Sequence, residues 1–153
     1  MKIADFLSPG MVIPELRGRD KHAVLREMAQ WMATHMESMS ADRLFRVLLD
    51  REKISSTAIG EGVAIPHGKM AGVERIAGAF ARSAGGVDFD SLDGGLTYLF
   101  FVLVAPENSA ADHLKALARI SRLLKDPGFR ARLMAGKTAQ EIFTTILEED
   151  NKF

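Results

Sequence analysis

The stretch Leu96-Thr97-Tyr98-Leu99-Phe100-Phe101-Val102-Leu103-Val104 is apolar almost throughout, the pattern of a strand that must be covered on both faces. A fold for this chain therefore has to lay structure over each side of that segment. Helical patterns on either side of it in sequence can supply the cover. From Lys21 to about Met39, apolar side chains recur as Val24, Leu25, Met28, Trp31, Met32 and Met36, a helical period with Asp20 placed to cap it. Ser40 can cap a second helix that carries Leu44, Val47 and Leu48 and ends near Glu52. Beyond the apolar segment, Ser109-Ala110-Ala111-Asp112 has capping-box spacing with Asp in place of Glu and opens a helix to about Lys125. Asp126-Pro127 starts a short helix that stops at Gly136. Thr138-Ala139-Gln140-Glu141 is a capping box for a final helix whose apolar face is Ile142, Phe143, Ile146 and Leu147.

Between the two helical regions the pattern shortens to strands. Gly62-Val63-Ala64-Ile65-Pro66-His67-Gly68 reads as a short strand running into a turn, with Pro66 at a strand end or sheet edge because it has no N–H to donate. Ile76 to Arg82 is a further strand, Val87-Asp88-Phe89 a short extra one, and Asp93-Gly94-Gly95 a turn before the apolar strand. Residues 1–19, with Ser8-Pro9-Gly10 and Pro14, are a lead-in holding one short strand. Helices, then strands, then helices predict an α/β or α+β sandwich in which helices cover a central sheet. At 153 residues the chain is expected to be one domain, 1–153.

Composition narrows the chemistry. Twenty Lys and Arg balance twenty Asp and Glu, so the basic excess that nucleic-acid or anionic-membrane binding requires is missing. With no cysteine, disulfides, thiolate zinc sites, iron–sulfur clusters and Cys nucleophiles drop out. The opening Met1-Lys2-Ile3-Ala4-Asp5-Phe6 has no signal-like apolar run and no segment is long enough to span a bilayer, so a cytoplasmic location is expected. Gly62 to Lys69 mimics a phosphate-binding loop but has five residues between its glycines where four are needed, and Met70 stands where Ser or Thr would bind magnesium. Gly60-Glu61-Gly62 lacks the third glycine of a dinucleotide fingerprint. No Gly-x-Ser-x-Gly elbow is present, and two site histidines without Cys or a nearby Glu fall short of a zinc set. Neither a metal nor another cofactor is expected.

The four histidines remain, since a neutral imidazole is a nucleophile near pH 7. His22 and His35 sit among polar neighbours on the first helix and read as solvated. His67, between Pro66 and Gly68, has a rigid approach on one side and open space for a partner or phosphate on the other. A turn histidine without chemistry is as compatible with the local sequence. His113 lies in the first turn of its helix, where backbone N–H groups and the dipole favour an anion, at the rim of the face formed by Leu117, Ile120 and Leu124. A histidine that only packs the helix entrance fits equally. Met28, Met32, Met36 and Met39 read as core filling. Arg119, Arg122, Lys125, Arg130, Arg132 and Lys137 read as solvated helix faces with a possible docking role.

Taken together, Arg51-Glu52-Lys53 and Ser56-Thr57-Ala58-Ile59-Gly60-Glu61-Gly62-Val63-Ala64-Ile65-Pro66-His67-Gly68-Lys69 resemble the phosphorylation site of enzyme IIA domains of the bacterial phosphoenolpyruvate phosphotransferase system, in their fructose–mannitol class. Asp112-His113-Leu114, followed by Leu117, Ile120 and Leu123-Leu124, is similar to that class's second-histidine helix. The resemblance runs from about residue 3 to 149, and Ala58 departs from it where many relatives have glycine. The opening Ile3-Ala4-Asp5-Phe6-Leu7-Ser8-Pro9 is similar to the nitrogen-regulatory branch.

The resemblance implies a central mixed β-sheet flanked by helices. It implies that His67 accepts a phosphoryl group from HPr or its nitrogen-branch equivalent, and that Arg51 and His113 stabilise that group. The partners it implies are an HPr-type donor and regulatory or enzyme IIB-type proteins, with no nucleic acid and no membrane insertion. Two other roles stay open: a regulatory binding module switched by phosphorylation without onward transfer, and a stand-alone fructose/mannitol enzyme IIA feeding a sugar permease.

Overall fold

A computed structural model describes residues 1–37 and 39–153. Six strands form one mixed sheet: β1 (Val12–Ile13), β2 (Ala58–Gly60), β3 (Val63–Ala64), β4 (His67–Lys69), β5 (Ala77–Val87) and β6 (Thr97–Ala105). Five α-helices surround it: α1 (Lys21–His35), α2 (Ala41–Ile54), α3 (Ala110–Leu124), α4 (Pro127–Ala135) and α5 (Ala139–Asp150). The expected α/β architecture, a mixed sheet flanked by helices, is the one observed. The strand order is β1-β5-β6-β3-β2, with β4 also pairing β6.

The apolar segment is the centre of this sheet. All of β6 except Tyr98 is buried, because both faces are covered. On one face Phe101 and its cross-strand neighbour Phe80 meet Ile120 of α3, Phe129 of α4 and Ile146 of α5. On the other, Phe100 meets Phe89 edge-on at 5.3 Å, and Lys21 of α1 lies over the Phe89 ring. Met28 and Met32 of α1 are fully buried, and Met36 and Met39 pack against the same core, as the methionine spacing predicts. Among the described residues no helix is long and apolar enough to cross a membrane.

Helix starts follow the capping chemistry closely. Asp20, Ser40, Asp126 and Thr138 each accept a hydrogen bond from a backbone N–H in the first turn of the following helix. Ser109 does not: its hydroxyl donates to the Pro106 carbonyl instead, so the expected capping box at α3 is not made. Helix α1 stops at His35 rather than near Met39 because Met36 is already extended. Two strands depart from expectation. The expected separate strand at Val87 is the end of β5, which runs on across a register shift between Arg82 and Val87. Ala58, where the sequence reading has no strand, lies buried in β2 opposite Ala64. Three of the six basic side chains expected to be solvated in the C-terminal half are engaged rather than free: Arg119 pairs with Asp150, Arg132 with Glu149, and Arg130 bonds the Leu124 and Lys125 carbonyls.

Candidate active site

The site is built on a broken line of backbone. Strands β3 and β4 run parallel to β6 along the same side of it, Val63 opposite Leu99 and His67 opposite Leu103. Ile65 and Pro66 interrupt them. The interruption is pinned at both ends, since Ile65 N–H donates to the Thr57 carbonyl at 3.1 Å and the Pro66 carbonyl accepts from Leu103 N–H at 3.0 Å. Proline is tolerated at this interruption, outside both strands, where its missing N–H breaks no ladder within either. His67 is thus the first residue of a strand, not the start of a turn.

Alternation along β4 then sorts the side chains. Gly68 faces α2, where an added Cβ would stand 2.5 Å from Val47 Cγ1. The glycine makes room for a helix rather than, as its position suggested, for an incoming phosphate. His67 and Lys69 take the opposite face, toward α3. There the His67 and His113 rings meet edge-on, with centroids 5.5 Å apart. Arg51, in the last turn of α2, spends one guanidinium N–H on the Ser55 carbonyl at 2.9 Å, and its charge is felt at His67. The structure therefore brings the His67 and His113 rings together, with the Arg51 charge lowering the His67 pKa, and leaves His22 and His35 exposed elsewhere.

The hydrogen bonding of His67 fixes its tautomer. Nδ1 lies 2.6 Å from the Ile65 carbonyl oxygen, and a carbonyl only accepts, so Nδ1 carries the proton and Nε2 of the neutral ring holds a lone pair. Burial holds the His67 pKa below the ordinary histidine value, with the Arg51 charge adding to it; the Ile65 hydrogen bond and the Glu52 charge oppose these less strongly. His113 is also held low, by burial and then by the positive charge His67 and Lys69 can carry. It is 6 % exposed, and its Nε2 is buried without a partner. Such an orphan costs about 1–3 kcal/mol, and an acceptor arriving at the site would relieve it. The arrangement presents a neutral nucleophilic nitrogen, a second imidazole able to donate, and a guanidinium. Those are the groups in-line transfer of an anionic phosphoryl group needs. Among the described residues no group of three or more His, Asp or Glu side chains is placed to hold a metal ion.

Two participants escaped the sequence. The Ile65 carbonyl is backbone, and no side-chain pattern announces which carbonyl a ring nitrogen will find. The buried carboxylate of Glu52 sits inside the quoted motif, but only the fold shows that it reaches Thr57.

Comparisons with known proteins agree with one another. Residues 5–149 match the family described as "Phosphoenolpyruvate-dependent sugar phosphotransferase system, EIIA 2". The chain is 44% identical over 146 residues to a nitrogen regulatory protein of Bradyrhizobium diazoefficiens, covering 95% of each. It is 36% identical over 150 residues to a fructose-specific EIIABC component of Bacillus subtilis, covering 98% of this chain and 24% of that protein. Among solved structures, the nitrogen regulatory protein IIA-Ntr of Neisseria meningitidis superposes with a TM-score of 0.88 at 33% identity, covering 94% of this chain and 98% of that one.

Proposed function

We propose, since this chain belongs to the EIIA 2 family of the phosphoenolpyruvate-dependent sugar phosphotransferase system, that it carries the phosphoryl group on Nε2 of His67. At the level of the family it is a phosphocarrier and a component of a phosphotransferase. The finer reading gives the donor as an HPr-type phosphohistidine protein. The Nε2 lone pair attacks phosphorus, the bond from phosphorus to the donor's nitrogen breaks, and its electron pair returns to the donor ring.

The observation that carries this reading is the Nδ1–H bond to Ile65, which leaves Nε2 unprotonated. As Nε2 bonds to phosphorus the ring gains positive charge, and the Nδ1–H···O=C bond strengthens into a charge-assisted one. Arg51 has guanidinium donors left for the phosphoryl oxygens, in a fork that a lysine cannot reproduce. His113, neutral because its pKa is held low, donates one N–H without adding positive charge. Exposed apolar residues adjoin these groups in sequence, Leu114 beside His113 and Ile54 one turn after Arg51, and support docking of a protein partner. The single domain and cytoplasmic location expected from sequence form part of the same reading.

The 44% identity to a nitrogen regulatory protein over nearly the whole of both chains favours a regulatory role. On that reading the phosphoryl group, carrying about −1.5 to −2 charges, repels acidic partner groups and so switches docking. A sugar-branch role draws support from the fructose-specific relative. The experiment is intact mass after incubation with phosphoenolpyruvate, enzyme I and HPr, for the wild type and His67→Ala. The wild type is expected to gain one acid-labile phosphoryl group and the variant none; normal labelling of the variant would remove His67 as the acceptor. Pull-downs in both phosphorylation states, beside transfer to an enzyme IIB, separate the regulatory from the sugar role.

A further inference from the structure

Glu52 follows Arg51 in sequence but turns inward, and its side chain is 1% exposed. A carboxylate is retained at such depth only when donors replace the water it has lost. Three donors do so here. The Thr57 N–H reaches both oxygens, at 3.1 and 3.3 Å, the Thr57 hydroxyl donates to Oε2, and Lys21 Nζ pairs with Oε1 at 3.0 Å. A loop staple would account for these bonds if they ended at Thr57.

They do not end there. The Thr57 carbonyl accepts from Ile65 N–H, and the Ile65 carbonyl accepts from His67 Nδ1. Pro66 gives the intervening peptide no N–H with which to anchor itself. The direction of the Ile65 carbonyl therefore depends on Thr57 on one side and on the Pro66–Leu103 bond on the other. Lys21, of a different helix, ties the far end of the relay to α1. The Glu52 charge also acts on His67 in the sense opposite to Arg51, raising its affinity for a proton.

We propose that Glu52 is a positioning residue for the acceptor histidine: through Thr57 and Ile65 it holds His67 in the Nδ1–H tautomer and keeps Nε2 free. This rests on His67 being the phosphoryl acceptor. A neutral imidazole with no fixed acceptor shares its proton between both nitrogens, and only one of the two forms can attack through Nε2. Losing the relay lowers the reactive fraction and misaligns the ring, and small misplacements of a nucleophile are costly in rate.

The test reads the unphosphorylated ring directly, by nitrogen-15 chemical shifts of His67 above its titration, beside the initial rate of phosphorylation by enzyme I and HPr. The wild type is expected to show a single Nδ1–H tautomer. Glu52→Ala is expected to show a mixture of tautomers and a rate roughly tenfold lower. Glu52→Gln keeps an oxygen for the Thr57 N–H and is expected to restore the single tautomer and most of the rate. Thr57→Val, which removes one hydroxyl and leaves the carboxylate paired with Lys21, gives the same reading if Glu52→Ala does not fold; Thr57→Ser is its rescue. A wild-type tautomer in folded Glu52→Ala or in Thr57→Val would overturn the proposal. So would a loss of thermal stability and rate together with the tautomer unchanged. If instead His67→Ala is phosphorylated normally, the acceptor reading fails while the tautomer result on Glu52 still stands or falls by itself.

Discussion

At the scale of single residues, the low pKa of His67 has a kinetic consequence with a definite sign. Burial and the Arg51 charge favour the neutral ring more than the Ile65 bond and Glu52 favour the charged one. Nε2 of His67 therefore stays unprotonated to a pH below the ordinary histidine value of about 6.5. The rate of phosphoryl acceptance is expected to be level from pH 8 down through 6.5 and to fall only as pH drops through the lowered pKa. Stopped-time labelling across a pH series checks this, with the donor held saturating and separately shown to remain phosphorylated. A midpoint at or above 6.5 would mean that the ring is not held neutral by its surroundings. His113 adds to the same tendency, since it too is held low and a proton there would place a charge beside His67. His67 and His113 could be singled out from residue type and neighbours, and Arg51 only through the resemblance of its motif. Their supports could not. The Ile65 carbonyl has no side-chain signature, and the Glu52–Thr57 bond depends on the path of the chain after α2.

At the scale of elements, the meeting of α2 with β4 decides where His67 points. Gly68 is the contact: a methyl group there would lie 2.5 Å from Val47 Cγ1, and valine's branched side chain has little rotamer freedom to move aside. Gly68→Ala is expected to cost about 1–3 kcal/mol by overpacking and to slow phosphorylation, because β4 cannot shift without moving His67. Val47→Ala added to it is expected to recover most of both losses. A denaturant melt and a phosphorylation rate for the two single variants and the double one measure the coupling. Additive effects would mean that α2 does not set the strand's position. This contact was invisible in sequence because Val47 and Gly68 meet only through the fold; the Pro-His-Gly run alone suggested space for a ligand. Elements were legible where local chemistry decides them. Asp20, Ser40, Asp126 and Thr138 cap as their residue types require. Ser109 was misread because a nearer acceptor, the Pro106 carbonyl, takes its hydroxyl. Strand β5 was read short because glycines at 85 and 86 look like an ending, whereas Gly86 sits at φ 79° against the Tyr98 ring and the strand runs on to Val87.

At the scale of the whole molecule, the buried charges at the C-terminal end of the chain are not those that act on His67. The last turn of α5 holds Asp150, 1% exposed, which accepts from Ile3 N–H at 2.7 Å and from Arg119 Nε at 2.5 Å. One carboxylate thus ties the lead-in segment, α3 and α5 together behind the sheet. Glu149 beside it, 3% exposed, is held by Arg132 and Lys152. Asp150→Ala leaves the Ile3 N–H buried without an acceptor and Arg119 without its carboxylate. Losing one partner of a buried pair costs on the order of 3 kcal/mol, the low end applying because the Arg119 side chain retains 20% exposure and keeps its bond to the Asp150 carbonyl. For a domain of this size that cost corresponds to a fall in melting temperature of roughly 6–12 °C. None of these bonds reaches Thr57, Ile65 or His67. Asp150→Ala is therefore expected to melt lower and yet to accept the phosphoryl group at 25 °C at the wild-type rate. Scanning calorimetry and initial labelling rates on the same samples decide it. Slow labelling by a fully folded Asp150→Ala would join clasp and site into one cooperative unit. An unchanged melting temperature would show that the buried carboxylate contributes no net stability, because its desolvation offsets the bonds it makes.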